Sequence, residues 1–306
     1  MTCNDTMNLC GILCIDKPEN YTSFDVVARM RGICRTKKIG HAGTLDPMAT
    51  GVLPLFLGRA TKACAILPDQ NKRYRASFRL GITTDTQDIT GKVVRARPVT
   101  ASAQEVRQAL QGFVGDILQL PPMYSAVQVG GQRLYDLARQ GIEVEREPRE
   151  VSILSIDLLE ESPETGEYAI DVLCAKGTYI RTLCHDLGEK LGCGATLTKL
   201  RRTMAAGFTE ADCITLEQAE ELLADRELAS RVLPVEKAFA SLYRVDLSEK
   251  QAKMYQNGVK LDPKKTRCSH VEGDIAVYGP GGIFLGVSAV NRETGLLETK
   301  SLFALA

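Results

Sequence analysis

The stretch GHAGTLDPMATG, residues 40–51, sets a single carboxylate, Asp46, among three glycines, a histidine and a proline. Pro47 disfavours helical backbone for the residue before it, so Asp46 is held extended. Gly40, Gly43 and Gly51 permit tight turns and the close approach of another chain. Read by itself, the stretch is an Asp-Pro turn linking two strands with an incidental acid. Its neighbours decide between that reading and a presented carboxylate. Upstream, GILCIDKP (11–18) is a short buried strand ending in a Lys-Pro turn, and TSFDVVARMRGICR (22–35) carries Val26, Val27, Met30 and Ile33 on one helical stripe with Ser23 as its N-cap. Downstream, VLPLFLG (52–58) is an apolar strand interrupted by Pro54, and KRYRASFRLG (72–81) alternates as a half-buried strand. The motif therefore lies on a loop between elements of a sheet.

Further along, Ser102 and Glu105 form a capping box ahead of a helix carrying Val106 and Leu110, and Thr215 and Gln218 form another. VSILSIDLLE (151–160) and YAIDVLCAKG (168–177) are strand-like; TYIRTLCHDLGEKLG (178–192) is a helix with Ile180, Leu183, Leu187 and Leu191 on one face, stopped by Gly192. Strands and helices mix without a regular β-α-β rhythm, which predicts an α+β fold with a mixed, mainly antiparallel central sheet flanked by helices. From about residue 245 the texture changes to short β-like pieces between glycine-rich turns, DIAVYGP (274–280), GIFLGVSAV (282–290) and GLLETKSLF (295–303), predicting a small all-β module.

The 306 residues suffice for one large domain or a large and a small one, and 44% hydrophobic with 25% charged residues is the composition of a globular chain that folds throughout. No run approaches the ~18 apolar residues of a membrane helix, and the start lacks the basic and cleavage features of a secretory signal, so a cytoplasmic location is expected. Ten cysteines without paired C-x-x-C spacing and only three histidines suggest buried free thiols rather than a zinc site or disulfide framework. The net charge of zero conceals an asymmetry. Residues 26–80 hold eleven bases against two acids, whereas residues 142–172 hold ten acids against two bases. One face is thus expected to meet a polyanion. In NKRYRASF (71–78) the triplet Arg73-Tyr74-Arg75 offers a ring for stacking beside charges for phosphates, and in KGTYIRTL (176–183) Tyr179 and Arg181 stand at a helix start, where an arginine can keep a nearby carboxylate ionised.

These stretches, with DKP at 16–18 and LRRT at 200–203, resemble the motifs of the TruB family of bacterial tRNA pseudouridine-55 synthases. PPMYSAVQVGGQRLYDLARQG (121–141) is similar to that family's RNA-gripping thumb loop, and GITTDTQDITG (81–91) to one of its turns; the resemblance runs in order over residues 10–240. It implies a pseudouridine synthase-type catalytic domain over residues 1–243, with the thumb at about 121–146, and a PUA-like RNA-binding domain over residues 244–306. That smaller domain would contact the tRNA acceptor end or serve as a structural cap, and the polar run DPKKTRCSHVE (262–272) departs from the strand expected there. The implied activity is isomerisation of a T-loop uridine of tRNA, with no cofactor, no metal and no membrane, by a monomer acting without guide RNA. Asp46 would be the catalytic carboxylate, either as nucleophile on the sugar or as base at its 2′ proton. Tyr74 would stack on the target base, Tyr179 pack near it, Arg181 pair with Asp46 and Leu200 line the pocket. His41 would help hold the base out of its loop, and Lys17 support the site. The glycines of 40–51 would admit the RNA backbone. Two other classes remain open to the residues alone: a tRNA-binding folding helper, for which Asp46 on an anion-binding surface would be a liability, and an aspartate-nucleophile hydrolase, which calls for metal-binding carboxylates or a phosphate loop that the sequence lacks.

Overall fold

The computed structural model describes residues 9–68 and 71–304 of the chain. Cys3 and Asp69 lie outside the described residues. Among the described residues a ten-stranded sheet runs in the order Cys213–Ile214, Gly11–Lys17, Thr50–Leu57, Ala195–Ala205, Lys72–Leu80, Glu167–Cys174, Arg149–Ser162 and Gly115–Gln119, with Ile39–His41 and Phe208–Thr209 as side branches. Two contacts are parallel: Gly11–Lys17 with Cys213–Ile214, and Thr50–Leu57 with Ala195–Ala205. The remaining pairings are antiparallel. This is the mixed, mainly antiparallel sheet expected of an α+β chain.

Local chemistry fixes the helices that flank it. Helix Ala103–Gln111 starts at the Ser102–Glu105 capping box and buries Val106 and Leu110. Helix Ile180–Lys190 buries Ile180, Leu183 and Leu187 before Gly192 turns the chain with φ 79°. Helix Leu216–Ala224 starts at the Thr215–Gln218 box. The first helix, Ser23–Ile33, is capped by Thr22 and not by Ser23. The reason is spacing: Thr22 stands three residues before Asp25, whose carboxylate accepts from the Thr22 N–H at 2.8 Å, closing the box. Ser23 turns inward instead, where its hydroxyl takes the Leu45 N–H at 2.8 Å.

The C-terminal residues form a four-stranded sheet, Tyr243–Asp246, Asp274–Tyr278, Phe284–Val290 and Leu297–Leu302. The three strands expected from the sequence are present, but the module is not all-β: helix Glu249–Gln256 starts at a Ser248–Gln251 capping box and buries Ala252 and Tyr255. The polar run 262–272 carries turns and no strand. Six of the nine described cysteines, Cys14, Cys34, Cys174, Cys184, Cys193 and Cys268, are buried free thiols; Cys10 is exposed, against expectation. Among the described residues no helix is long and apolar enough to cross a membrane.

The two sheets share one apolar cluster. Ile12, Val52 and Phe56 of the large sheet join Phe239, Tyr278, Phe284 and Phe303. Phe239 is fully buried there, its ring centroid 5.7 Å from that of Phe284 and 5.6 Å from that of Phe303. Phe239→Ala is therefore expected to cost about 3–5 kcal/mol, read by urea denaturation, with both sheets losing protection together; a loss below about 1 kcal/mol would show that the two sheets do not depend on each other.

Candidate active site

Asp46 lies on the loop that joins the edge strand Ile39–His41 to the central strand Thr50–Leu57. The Asp46 carbonyl accepts from the Ala49 N–H at 3.0 Å, closing a four-residue turn with Pro47 at its second position. Three side chains from elsewhere then fix this loop. Lys17, fully buried at the end of its strand, donates to the carbonyls of Pro18 at 2.8 Å, Tyr21 at 2.5 Å and Pro47 at 3.2 Å. Burial pulls its ammonium down to about 8, so at neutral pH most of it still carries the three protons that three carbonyls need. Arg202, also fully buried, donates to the carbonyls of Val52 at 2.8 Å, Gly43 at 3.1 Å and Thr44 at 3.4 Å. Ser23 holds the Leu45 N–H from the first helix.

The carboxylate itself is gripped by Arg181, whose Nε lies 2.9 Å from Oδ2 and whose Nη2 donates to Oδ1 at 3.2 Å. This fork-to-carboxylate geometry gives direction as well as energy. The same guanidinium donates to the Tyr124 carbonyl at 2.8 Å and the Thr86 carbonyl at 3.1 Å, and lies 3.6 Å from Asp88. Asp88 is buried and held by the Thr86 hydroxyl at 2.9 Å and by the N–H and hydroxyl of Thr90. Burial raises the Asp46 carboxyl above its ordinary range; Arg181 pulls it back down and Asp88 adds to the rise. A carboxylate set among these groups is a better proton acceptor or nucleophile than a free aspartate, while its charge stays neutralised by a fixed partner.

Around Asp46 opens a cleft of about 250 Å³ whose lining includes Gly43, Lys72, Tyr74, Ser125, Tyr179, Arg181 and Leu200. The Tyr74 ring is buried, and its phenol is pushed up to about 12 by burial, so it stays protonated. Tyr179 is the N-cap residue of helix Ile180–Lys190, and a two-bond clasp holds it: the Gln119 side chain accepts from its N–H at 2.9 Å and donates to its carbonyl at 3.2 Å. A cleft that sets one anchored carboxylate beside two tyrosines and the apolar Leu45, Ile180 and Leu200 can take a flat ring and bring an acid against it.

Residues 31–180 match the model of the TruB family pseudouridylate synthase N-terminal domain, and residues 181–240 that of the tRNA pseudouridylate synthase B C-terminal domain. The chain belongs to the TruB family of pseudouridylate synthases. It is similar to tRNA pseudouridine synthase B of Clostridium tetani, 41% identical over 92% of this chain and 96% of the relative, and to that of Bacillus licheniformis, 43% identical over 94% and 96%. Among solved structures it shares its fold with a Cbf5-Nop10-Gar1 complex, with a TM-score of 0.72 at 24% identity over 96% of this chain and 85% of the other.

Of the residues that the TruB motifs single out, Asp46, Tyr74, Tyr179, Arg181 and Leu200 converge on the cleft. Lys17 lies beneath it, under Pro47. His41 is not in the lining; it sits on the edge strand opposite Leu55, its buried Nδ1 without a hydrogen-bond partner among the described residues, and burial with Arg202 nearby lowers its pKa. Two expectations are corrected. The charges of Arg73 and Arg75 do not flank the Tyr74 ring: in the strand Lys72–Leu80 Tyr74 is buried and both arginines are exposed, because successive side chains point to opposite faces, and Arg73 pairs with Asp171 at 2.5 Å. Nor are all the motif's glycines reserved for a ligand. A side chain at Gly51, whose φ is 102°, would stand 2.2 Å from the Arg202 carbonyl oxygen, and one at Gly40 would meet the Cys64 sulfur at 3.3 Å; Gly43 is the one that faces the cleft. Sequence reading missed Gln119, Asp88 and Arg202. The last two lay inside stretches already singled out, 81–91 and 200–203, but nothing local shows which residues they reach.

The two arginines of LRRT provide a test. Arg202→Met should cost about 2–4 kcal/mol of folding stability, since it strands three carbonyls without their buried donor. Arg201 is a third exposed and pairs with the half-buried Asp16 and the exposed Glu210 at the sheet surface, where water can replace it, so Arg201→Met should cost less, about 1 kcal/mol. Urea melts of the two variants compare these directly; equal losses would mean that Arg202 does not organise the loop.

Proposed function

We propose that the chain isomerises a uridine in the T-loop of tRNA, at position 55, to pseudouridine, acting as a monomer in the cytoplasm without guide RNA, metal or cofactor. The observation that carries this reading is the Asp46 carboxylate forked by Arg181 at the base of a cleft walled by Tyr74, Tyr179 and Leu200. Belonging to the TruB family, and being more than 40% identical to proteins called tRNA pseudouridine synthase B, supports the substrate class.

A uridine stacked in its loop exposes neither C1′ nor C5 to a side chain, so it must be flipped out at a cost of ~a few kcal/mol, offset by stacking and backbone contacts. Tyr74 offers its ring to the flipped base, Tyr179 and Leu200 close the pocket around it, and Asp46 meets the sugar. The N1–C1′ bond breaks, the base turns, and C5 bonds to C1′ while C5 gives up its proton and N1 gains one. Asp46 acts either as nucleophile on C1′ or as base at the 2′ proton, and both roles need it ionised. Arg181 keeps it so against the pull of burial. Lys17 fixes the Pro47 carbonyl next to it, and His41 helps keep the base out of its loop. Residues 1–243 form the catalytic domain, with 121–146 as the thumb that grips the T-arm, and residues 244–306 a PUA-like domain on the same RNA. The basic side chains of residues 26–80 supply the long-range attraction.

Unmodified tRNA incubated with the protein and mapped by carbodiimide adduct and primer extension should show pseudouridine in the T-loop; a T-loop uridine unchanged after prolonged incubation overturns the reading. Asp46→Asn should slow turnover by roughly 10³-fold or more and leave tRNA binding little changed. The single-turnover rate should rise with pH as the Asp46 carboxyl ionises. Because burial raises that carboxyl, the acid limb should lie above the ordinary carboxylate value of about 4; a rate flat down to that pH would show that Asp46 does not titrate there.

A further inference from the structure

Among the described residues, the buried polar atoms without a hydrogen-bond partner include the hydroxyl of Ser125, a residue of the cleft lining. Ser125 is 5% exposed. Its backbone is pinned on both sides: the Ser125 carbonyl accepts from the Tyr135 N–H at 3.1 Å, and the Tyr124 carbonyl accepts from Arg181 at 2.8 Å. The segment is therefore tied at one point to the helix Leu134–Arg139 and at the next to the arginine that holds Asp46. A hydroxyl fixed this way and left without a partner weakens folding, because its lost hydration is not replaced. With no bond to break, the hydroxyl of this lining residue is free to turn toward what enters the cleft and complete its hydrogen bonding there.

Resting on the isomerase reading, we propose that the Ser125 hydroxyl donates a hydrogen bond to a carbonyl oxygen of the flipped uracil. Uracil suits a single fixed donor through its own symmetry. A half-turn about the line from N3 to C6 exchanges N1 with C5, which is the rearrangement the isomerisation needs, and it exchanges O2 with O4 in the same movement. A donor that faces O2 in the uridine faces O4 in the pseudouridine. As the N1–C1′ bond breaks, its electrons stay with the base and spread onto the oxygen that Ser125 faces, so the hydrogen bond strengthens in the cleavage step and speeds it; Ser125 meets the base again in its final orientation, and rotation about its Cβ–Oγ bond accommodates small differences between the two.

The test compares the wild-type chain with Ser125→Ala on tRNA carrying uridine, 2-thiouridine or 4-thiouridine at the target position, with single-turnover rate, tRNA affinity and melting temperature all measured. On uridine the variant should be slower by roughly three- to tenfold, with tRNA affinity unchanged and a melting temperature equal to or above wild type, since the hydroxyl has no partner among the described residues to lose. Sulfur accepts hydrogen bonds weakly, so the gap between variant and wild type should shrink on one of the two thio substrates. A variant as fast as wild type on uridine overturns the proposal. So does a slower variant that also melts lower, which would mark a structural role, or a gap that persists undiminished on both thio substrates. A wild-type chain that leaves the uridine unmodified would instead remove the isomerase reading, and this proposal with it.

Discussion

The fully buried guanidinium of Arg202, which pairs with no carboxylate among the described residues, holds the Asp46 loop through the carbonyls of Gly43, Thr44 and Val52. A charge placed there is costly unless every donor is used. That requirement runs both ways: the loop must bring its carbonyls to the arginine, and the arginine's strand must lie against the loop's. The second demand is met by the short parallel contact of Arg201 and Arg202 with Thr50 and Gly51, close enough that Gly51 has no room for a side chain. Lys17 repeats the device on the other flank, also with carbonyls alone. Two cations therefore fix the backbone of the loop without neutralising its carboxylate, which is left for a third.

That third cation, Arg181, serves two acids at once. Asp88 is buried, with three threonine donors on its Oδ1; Asp46 lies at the cleft with one side open. The asymmetry leaves Asp46 as the acid free to react. Gln119 extends the arrangement outward, because its amide holds both backbone groups of Tyr179 at the start of the helix that carries Arg181. The edge strand that ends at Gln119 leads directly into 121–126, whose Tyr124 carbonyl also binds Arg181. Cleft wall and carboxylate are thus set by one connected group of hydrogen bonds.

What could be read from the sequence was what is local in cause. Helix starts at Ser102 and Thr215 follow from residues three apart, and the stripes on 180–191 from a single period. The same signal stood at Ser248 and Gln251, but the helix it starts buries only Ala252 and Tyr255, too short a stripe to stand out. The misplacement of Arg73 and Arg75 was avoidable, since strand alternation already separates them from Tyr74. Gln119, Asp88 and Arg202 were beyond local reasoning for a different reason. Each acts across 60 to 159 positions of chain or through a backbone atom, and neither spacing nor residue type says which carbonyl a side chain will reach. Asp46, Tyr74, Tyr179 and Arg181 stood out by residue type and setting, but only the family resemblance set them in one site and added Leu200.

The aromatic cluster around Phe239 has a bearing on scale. Because Phe239, Phe284 and Phe303 are common property of both sheets, neither sheet can swing relative to the other without opening that cluster to water. The chain is then a caliper with its jaws locked. A molecule that touched both sheets would meet a fixed span and not a hinge.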